Sequence, residues 1–409
     1  MQQPQIQPLD GIRVLDLSRV LAGPMASQNL ADLGAAVVKI EKPGEGDETR
    51  RWGPPFAQDT SGTDGDATYF LCCNRGKRSV TVDFTQAEGA EIIRRLAARA
   101  DVLLENYKVG SLERYGLDSA SLRSLNPRLI YCSITGFGQS GPYADRPGYD
   151  ALIQAMGGLM SITGEPDANP GGGPQKTGVA VVDLMAGSCA TSAILAALLA
   201  RVRTGNGTHI DISLLDVQVA ALANQATAWL VGHSLPRRWG NSHPSIVPYQ
   251  PFACSDGQVM IAVGNDSQFA ALCRAADCLE LATDPRFRVN AGRVTHREAL
   301  LAALSPRLAG KTAAEWVLLG QKHGFPCGPI NTIDRVFDDP QVDARGLVSK
   351  LESRRYGSMS TVANPMRFDG RPAVSQLPPP ELGSSTIEVL REHGYTREAI
   401  DDLQSHGVI

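Results

Sequence analysis

The stretch that decides the fold opens with Ile12-Arg-Val-Leu-Asp-Leu17, passes through Gly23-Pro24 to Leu33-Gly34, and ends in Ala36-Val-Val-Lys-Ile40. The first and last runs are apolar and short enough for buried strands. Gly23-Pro24 opens a helix between them and Gly34 stops it. Strand, helix, strand is a βαβ unit, which implies a parallel sheet covered by helices.

The alternation continues outward from that unit. Residues 42–68, rich in Gly, Pro, Asp and Thr, read as a long surface loop. Ile92, Ile93, Leu96 and Ala100 recur at helical spacing and predict a helix over 86–100. Val102–Leu104, Leu129–Ile134 and His209–Leu214 read as further strands, Val179–Ala200 as a buried strand leading into a buried helix, and 216–231 as helical. The character then changes to a small α+β module over 252–330, with a strand at 258–263 and helices at 267–276, 297–309 and 312–322. Pro378-Pro379-Pro380 is a stiff connector to short terminal helices.

Composition bounds the function. The chain has 409 residues, with 39 Lys+Arg against 43 Asp+Glu, so nothing attracts nucleic acid or an anionic membrane overall and any anion site is local. Val179–Ala200 could span a bilayer by length, but Asp183, Gly187, Ser188, Thr191 and Ser192 favour a core helix. The opening Met-Gln-Gln-Pro-Gln-Ile-Gln-Pro has no basic or apolar signal region. Eight cysteines without C-x-x-C spacing read as reduced thiols of a cytoplasmic protein. Seven scattered histidines give no metal-ligand pattern.

Gly136-Phe-Gly138-Gln-Ser-Gly141 follows a strand and matches the dinucleotide fingerprint, yet Pro142 and Pro147 prevent a helix from opening there, which weighs against a nicotinamide-dependent dehydrogenase. The basic cluster Arg75-Gly-Lys77-Arg78 is either a solvated turn or a phosphate contact, and Lys42 carries the same ambiguity. Asp183 follows four apolar residues and precedes a helix rich in small residues. It is either an N-cap or a carboxylate nucleophile that the helix N-terminus keeps anionic at neutral pH.

Taken in order, further segments make the pattern specific. They are Leu9-Asp-Gly-Ile-Arg-Val-Leu-Asp-Leu-Ser18, Val20-Leu-Ala-Gly-Pro24, Asn74-Arg-Gly-Lys-Arg-Ser79, Asp101-Val-Leu-Leu-Glu-Asn106, Gly178-Val-Ala-Val-Val-Asp183 and Gly324-Phe-Pro-Cys-Gly-Pro329. The chain resembles the class III CoA-transferases from about residue 9 to its C-terminus. That resemblance implies an α/β fold with a Rossmann-like large domain built from both chain ends, a smaller α+β domain and an interlocked homodimer. The implied organisation is 1–215 for the first part of the large domain, 216–250 as linker, 251–330 as small domain, and 331–409 as linker and return to the large domain.

The resemblance also implies roles. Asp183 matches the nucleophile, which forms a mixed anhydride and then an aspartyl-CoA thioester. Val20, Leu21, Ala22, Lys42, Lys77, Arg78, Asn106, Tyr107 and Arg114 match positions on the CoA groove, although formyl-CoA transferase has glutamine at Leu21. Tyr149 matches an active-site tyrosine. Racemases of the superfamily carry histidine there, and tyrosine is a poor base at neutral pH. The glycine-rich loop of formyl-CoA transferase is missing, and Arg238-Trp-Gly-Asn-Ser-His243 looks like the subgroup that includes succinate–glutarate CoA-transferase. Arg237, Arg238 and His243 either hold the distal carboxylate of a dicarboxylic acid or are structural residues of a hinge. Coenzyme A thioesters enter as substrates, and no tightly bound cofactor is expected.

Overall fold

The computed structural model describes residues 6–409; residues 1–5 of the opening stretch lie outside it. The chain divides into two units. One comprises Met1–Leu159, Thr177–Thr227 and Pro340–Ile409, the other Met160–Lys176 and Ala228–Asp339.

In the first unit the βαβ reading is met by β1 (Arg13–Asp16), α1 (Ala22–Asp32) and β2 (Ala36–Glu41). The chain continues through β3 (Lys77–Thr81), α2 (Ala87–Ala97), β4 (Val102–Glu105), β5 (Ile130–Thr135), α3 (Asp150–Met156), α4 (Val181–Thr204) and β6 (His209–Ser213). All six strands pair in parallel, in the order β3-β2-β1-β4-β5-β6.

Alternate residues face opposite sides of the sheet, so each side has its own core. On one side Val14, Val102, Leu104, Ile130 and Cys132 meet Leu30 of α1 and Ala186, Ala190 and Ile194 of α4. On the other, Leu15, Ile40, Val80 and Leu103 meet Ile92, Ile93 and Leu96 of α2 together with Val389, Leu390, Ile400 and Leu403 from the end of the chain. Each of the Val, Leu and Ile side chains contributes about 1.5–3 kcal/mol by leaving water. Gly187 lets α4 approach α1, since a Cβ there would lie 2.8 Å from the carbonyl oxygen of Ala22.

Several expectations change. The apolar run before Asp183 is not a strand: α4 begins at Val181, so Asp183 lies in its first turn. Its length and mean hydropathy of 1.8 would suit a membrane span, but nearly half of it is buried and Arg201 near its end pairs with Asp101 at 2.9 Å. The loop over 42–68 holds a hairpin of Phe56–Gln58 with Asp64–Ala67, fastened by Arg50 between Glu41 and Asp66. The 216–231 helix is broken at Ala223, whose φ is +45°. A hairpin of Val348–Ser353 with Gly357–Val362 carries no strand signal in the sequence, because Val348 and Leu351, like Met359 and Val362, are three residues apart and off the two-residue strand period.

The second unit contains β7 (Tyr249–Cys254), β8 (Gly257–Ala262), α5 (Asp266–Ala275), α6 (Arg297–Leu308), α7 (Ala313–His323) and β9 (Cys327–Pro329). Its antiparallel sheet, ordered β9-β8-β7, packs Phe252, Val259 and Ile261 against Phe269, Leu272, Leu304 and Trp316. The unit begins at 228 and recruits 160–176, where the sequence suggested 251–330 alone.

Candidate active site

Strand order reverses between β1 and β4, so the loops leaving their carboxyl ends diverge and open a crevice, the usual ligand position in parallel sheets. Here Arg19–Ala22 after β1, Asn106–Val109 after β4, Thr135–Gly136 after β5, the 144–149 segment and Asp183 enclose a cavity of about 240 Å³. Of the residues marked in the sequence, Val20, Leu21, Ala22, Asn106, Tyr107, Tyr149 and Asp183 share this cavity.

Its walls are fastened by reciprocal bonds. Arg19 N–H donates to Asn106 Oδ1 at 2.8 Å, and Asn106 Nδ2 donates to the Arg19 carbonyl at 2.7 Å. The Arg19 guanidinium grips both carboxylate oxygens of Glu48, at 3.0 and 3.2 Å, and lies 4.9 Å from the Tyr107 ring centre. Between these fixed points Val20 is held at φ +70°. A β-branched residue pays about 1–3 kcal/mol for such a conformation, which persists only where its surroundings enforce it.

Asp183 is 9% exposed, on the first turn of α4. It is not the N-cap. Asp150 of α3 fills that role from across the fold: its Oδ1 accepts from Val182 N–H at 2.8 Å and Asp183 N–H at 3.3 Å, while Gln154 Nε2 donates to its Oδ2 at 2.6 Å. Among the described residues none donates a hydrogen bond to the Asp183 carboxylate. Burial, with the charge of Asp150 behind it, pushes Asp183 up to about 7. This corrects the expectation that the helix N-terminus keeps it fully anionic, because Asp150 already occupies the free helix N–H groups. An unpaired, poorly hydrated carboxylate is a strong nucleophile once ionised. Tyr69, which sequence reading missed, feels the Asp183 charge; burial and that charge raise its hydroxyl to about 12.

A stability consequence follows. Asp183 titrates near 4 when unfolded and near 7 when folded, so the folded state holds an extra proton between those values. Stability therefore falls as pH rises through that window, by a few kcal/mol at most. Asp183→Asn should leave the melting temperature near wild type at pH 4.5 and exceed it by several degrees at pH 8. A difference that does not grow with pH contradicts the burial argument.

The other marked residues lie elsewhere. Lys77 does not reach the cavity: it is 2% exposed, its Nζ donating to Asn74 Oδ1 at 2.8 Å, the Pro24 carbonyl at 2.9 Å and Asp16 Oδ2 at 3.2 Å. Arg78 pairs with Glu392, Lys42 with Glu45, and Arg114 stacks on Tyr115. Arg237, Arg238 and His243 belong to the second unit. Arg238 is engaged by the carbonyls of Ser161 and Glu165 and by the Asp167 carboxylate, and His243 Nδ1 accepts from Ser245 N–H. Arg237 lies over the Trp239 ring at 4.1 Å, with no hydrogen-bond acceptor among the described residues.

Comparison with known proteins agrees with this geometry. The family described as CoA-transferase family III matches residues 9–386. A succinate–glutarate CoA-transferase of Agrobacterium fabrum is 47% identical over 385 residues, covering 94% of this chain and 95% of the relative. A succinyl-CoA:glutarate CoA-transferase of Mus musculus is 45% identical over 405 residues, covering 99% and 91%. The crystal structure of a CAIB/BAIF family protein from Brucella suis superposes with a TM-score of 0.83 at 48% identity, over 95% of this chain and 100% of that one. With a lone buried carboxylate facing a crevice at the sheet's switch point and relatedness along nearly the whole chain, this protein belongs to CoA-transferase family III and is an enzyme that transfers coenzyme A.

Proposed function

We propose that the enzyme moves coenzyme A from succinyl-CoA to a dicarboxylic acid, with glutarate the first acceptor and itaconate, citramalate or malate behind it. The observation that carries the reading is Asp183, a carboxylate in the wall of the crevice to which none of the described residues donates a hydrogen bond. The names of relatives 43–47% identical support the choice of acids. Asp183 attacks the thioester carbonyl, forming an acid anhydride and expelling CoA thiolate. The thiolate then attacks the aspartyl carbonyl, giving an aspartyl-CoA thioester and free succinate. Glutarate runs the same steps in reverse, so the thioester bond is conserved and no ATP is used. The cycle closes with Asp183 regenerated, without a resident cofactor.

The reading includes a Rossmann-like large domain, an interlocked homodimer and a cytoplasmic location. Leu199 and Val202 on α4, 67% and 82% exposed, are apolar surface that a second copy would cover. Assay of succinyl-CoA against a panel of dicarboxylic acids, read by mass spectrometry of the CoA products, tests the reaction. Absence of any acid-dependent exchange overturns it.

Acceptor choice points to Arg237 rather than Arg238, whose guanidinium is already bound by three acceptors. Loss of one charge-assisted carboxylate contact should lower kcat/KM for glutarate roughly 10- to 150-fold in Arg237→Ala. Butyrate or valerate, lacking the distal carboxylate, should be nearly unaffected. Equal losses on both acid classes would place selection elsewhere.

A further inference from the structure

A second buried carboxylate stands at the carboxyl end of β4. Glu105 is 5% exposed, and its Oε2 accepts from Tyr107 N–H at 2.8 Å. Ser133, its register partner on β5, stands beside it and favours its ionised form, and Ser133 Oγ lies 3.0 Å from His209 Nε2 on β6. Three neighbouring strands thus set a carboxylate, a hydroxyl and an imidazole in a row, ending at an exposed histidine. Nothing in the nucleophilic cycle uses it. Yet Asn106, between Glu105 and Tyr107, is the residue that clasps Arg19 on both its N–H and carbonyl, and Tyr107 supplies the ring beneath the Arg19 guanidinium.

We propose that Glu105 is a positioning residue for the acyl-CoA cavity, an inference that rests on the CoA-transferase reading above: its carboxylate fixes Tyr107 N–H and through it the Asn106–Arg19 clasp, and the Ser133–His209 chain passes its proton to solvent. With Glu105 ionised, His209 Nε2–H donates to Ser133 Oγ and Ser133 O–H donates to the carboxylate. With Glu105 protonated, both donors reverse, His209 takes the other tautomer, and Tyr107 N–H loses its charged acceptor. The exchange falls in a physiological range, because burial first, with the Asp211 charge, pushes Glu105 up to about 7.

The titratable and charged groups that line one cavity with this carboxyl are Tyr107, Lys108, Glu113, Asp118, Arg123, Tyr131 and His209, and the Asp211 charge acts on it from β6. Asp211 opposes ionisation of Glu105; at His209 burial favours the neutral ring, against the pull of the Asp211 charge and with Arg123 adding to burial.

The test measures CoA affinity by calorimetry between pH 6 and 8.5 in Asp183→Asn, which removes the other carboxyl titrating near 7, and in Asp183→Asn/Glu105→Gln. CoA's own ionisation is common to both and cancels in the ratio. At pH 8 the Gln variant should bind roughly tenfold more weakly, the loss of one charge-assisted acceptor, and the ratio should approach one near pH 6. Adding Ser133→Ala to the Asp183→Asn parent removes a donor that favours the ionised form, so the midpoint for affinity should move to higher pH. A ratio of one throughout, or a penalty independent of pH, overturns the proposal while leaving CoA binding in place. A parent that binds no CoA overturns the reading of the cavity itself.

Discussion

Asp183→Ala should lower CoA exchange by at least about 10⁴-fold, the scale seen when a covalent nucleophile is removed, with the fold and CoA affinity retained. The expectation rests on isolation. Among the described residues no second carboxylate is free to replace Asp183 at the cavity wall, since Asp150 is bound to the α4 N–H groups and Gln154, and Glu48 is gripped by Arg19. Removing a carboxylate that lacks hydrogen bonds also leaves no donor unsatisfied, so loss of activity should not come from unfolding. A variant retaining a tenth of wild-type turnover would refute the covalent role.

Lys77→Ala should destabilise the protein by about 3–5 kcal/mol, because it removes the cation paired directly with the buried Asp16. At roughly 2–4 °C per kcal/mol for a domain of this size, the melting temperature falls by about 6–20 °C. Burial alone would raise Asp16, yet Lys77, Lys39 and the hydroxyls of Ser18 and Ser27 hold it below the usual carboxylate range. Asp16 therefore carries a full charge at neutral pH although it is fully buried. Replacing both partners, as in Asp16→Asn/Lys77→Met, should recover much of the loss. If Lys77→Ala instead melts like wild type and raises KM for acyl-CoA, the lysine contacts phosphate after all and the buried network has been misread.

What was legible in the sequence follows from which interactions are local. The β1–α1–β2 unit was readable because Gly23-Pro24 and Gly34 act on the residues beside them, and α2 because its apolar residues recur at helical spacing. Asp183 stood out as a charge at the edge of an apolar run. Its cap did not, because Asp150 lies more than thirty residues earlier and meets it only through the packing of α3 on α4. Lys77 misled for the same reason: a basic cluster in sequence looks solvated, and only the register of β2 with β3 shows that Lys77 turns inward while Arg78 turns out to Glu392. Glu105 could have been suspected as the acidic residue closing the otherwise apolar β4. The expectations of a Rossmann-like large domain and of an interlocked homodimer come from family resemblance alone, since periodicity carries no information about strand order or partner copies.

The most direct test of the account is to trap the covalent intermediate. Wild-type enzyme is incubated with succinyl-CoA, treated with hydroxylamine and digested for peptide mass spectrometry. Hydroxylamine attacks an aspartyl-CoA thioester, releasing CoA and leaving an aspartyl hydroxamate. The account predicts that one peptide is modified, at Asp183, and that the modification is absent in Asp183→Ala. Modification at Cys189 or Cys72, the exposed thiols, with Asp183 untouched would show a cysteine acyl-enzyme and contradict the mechanism.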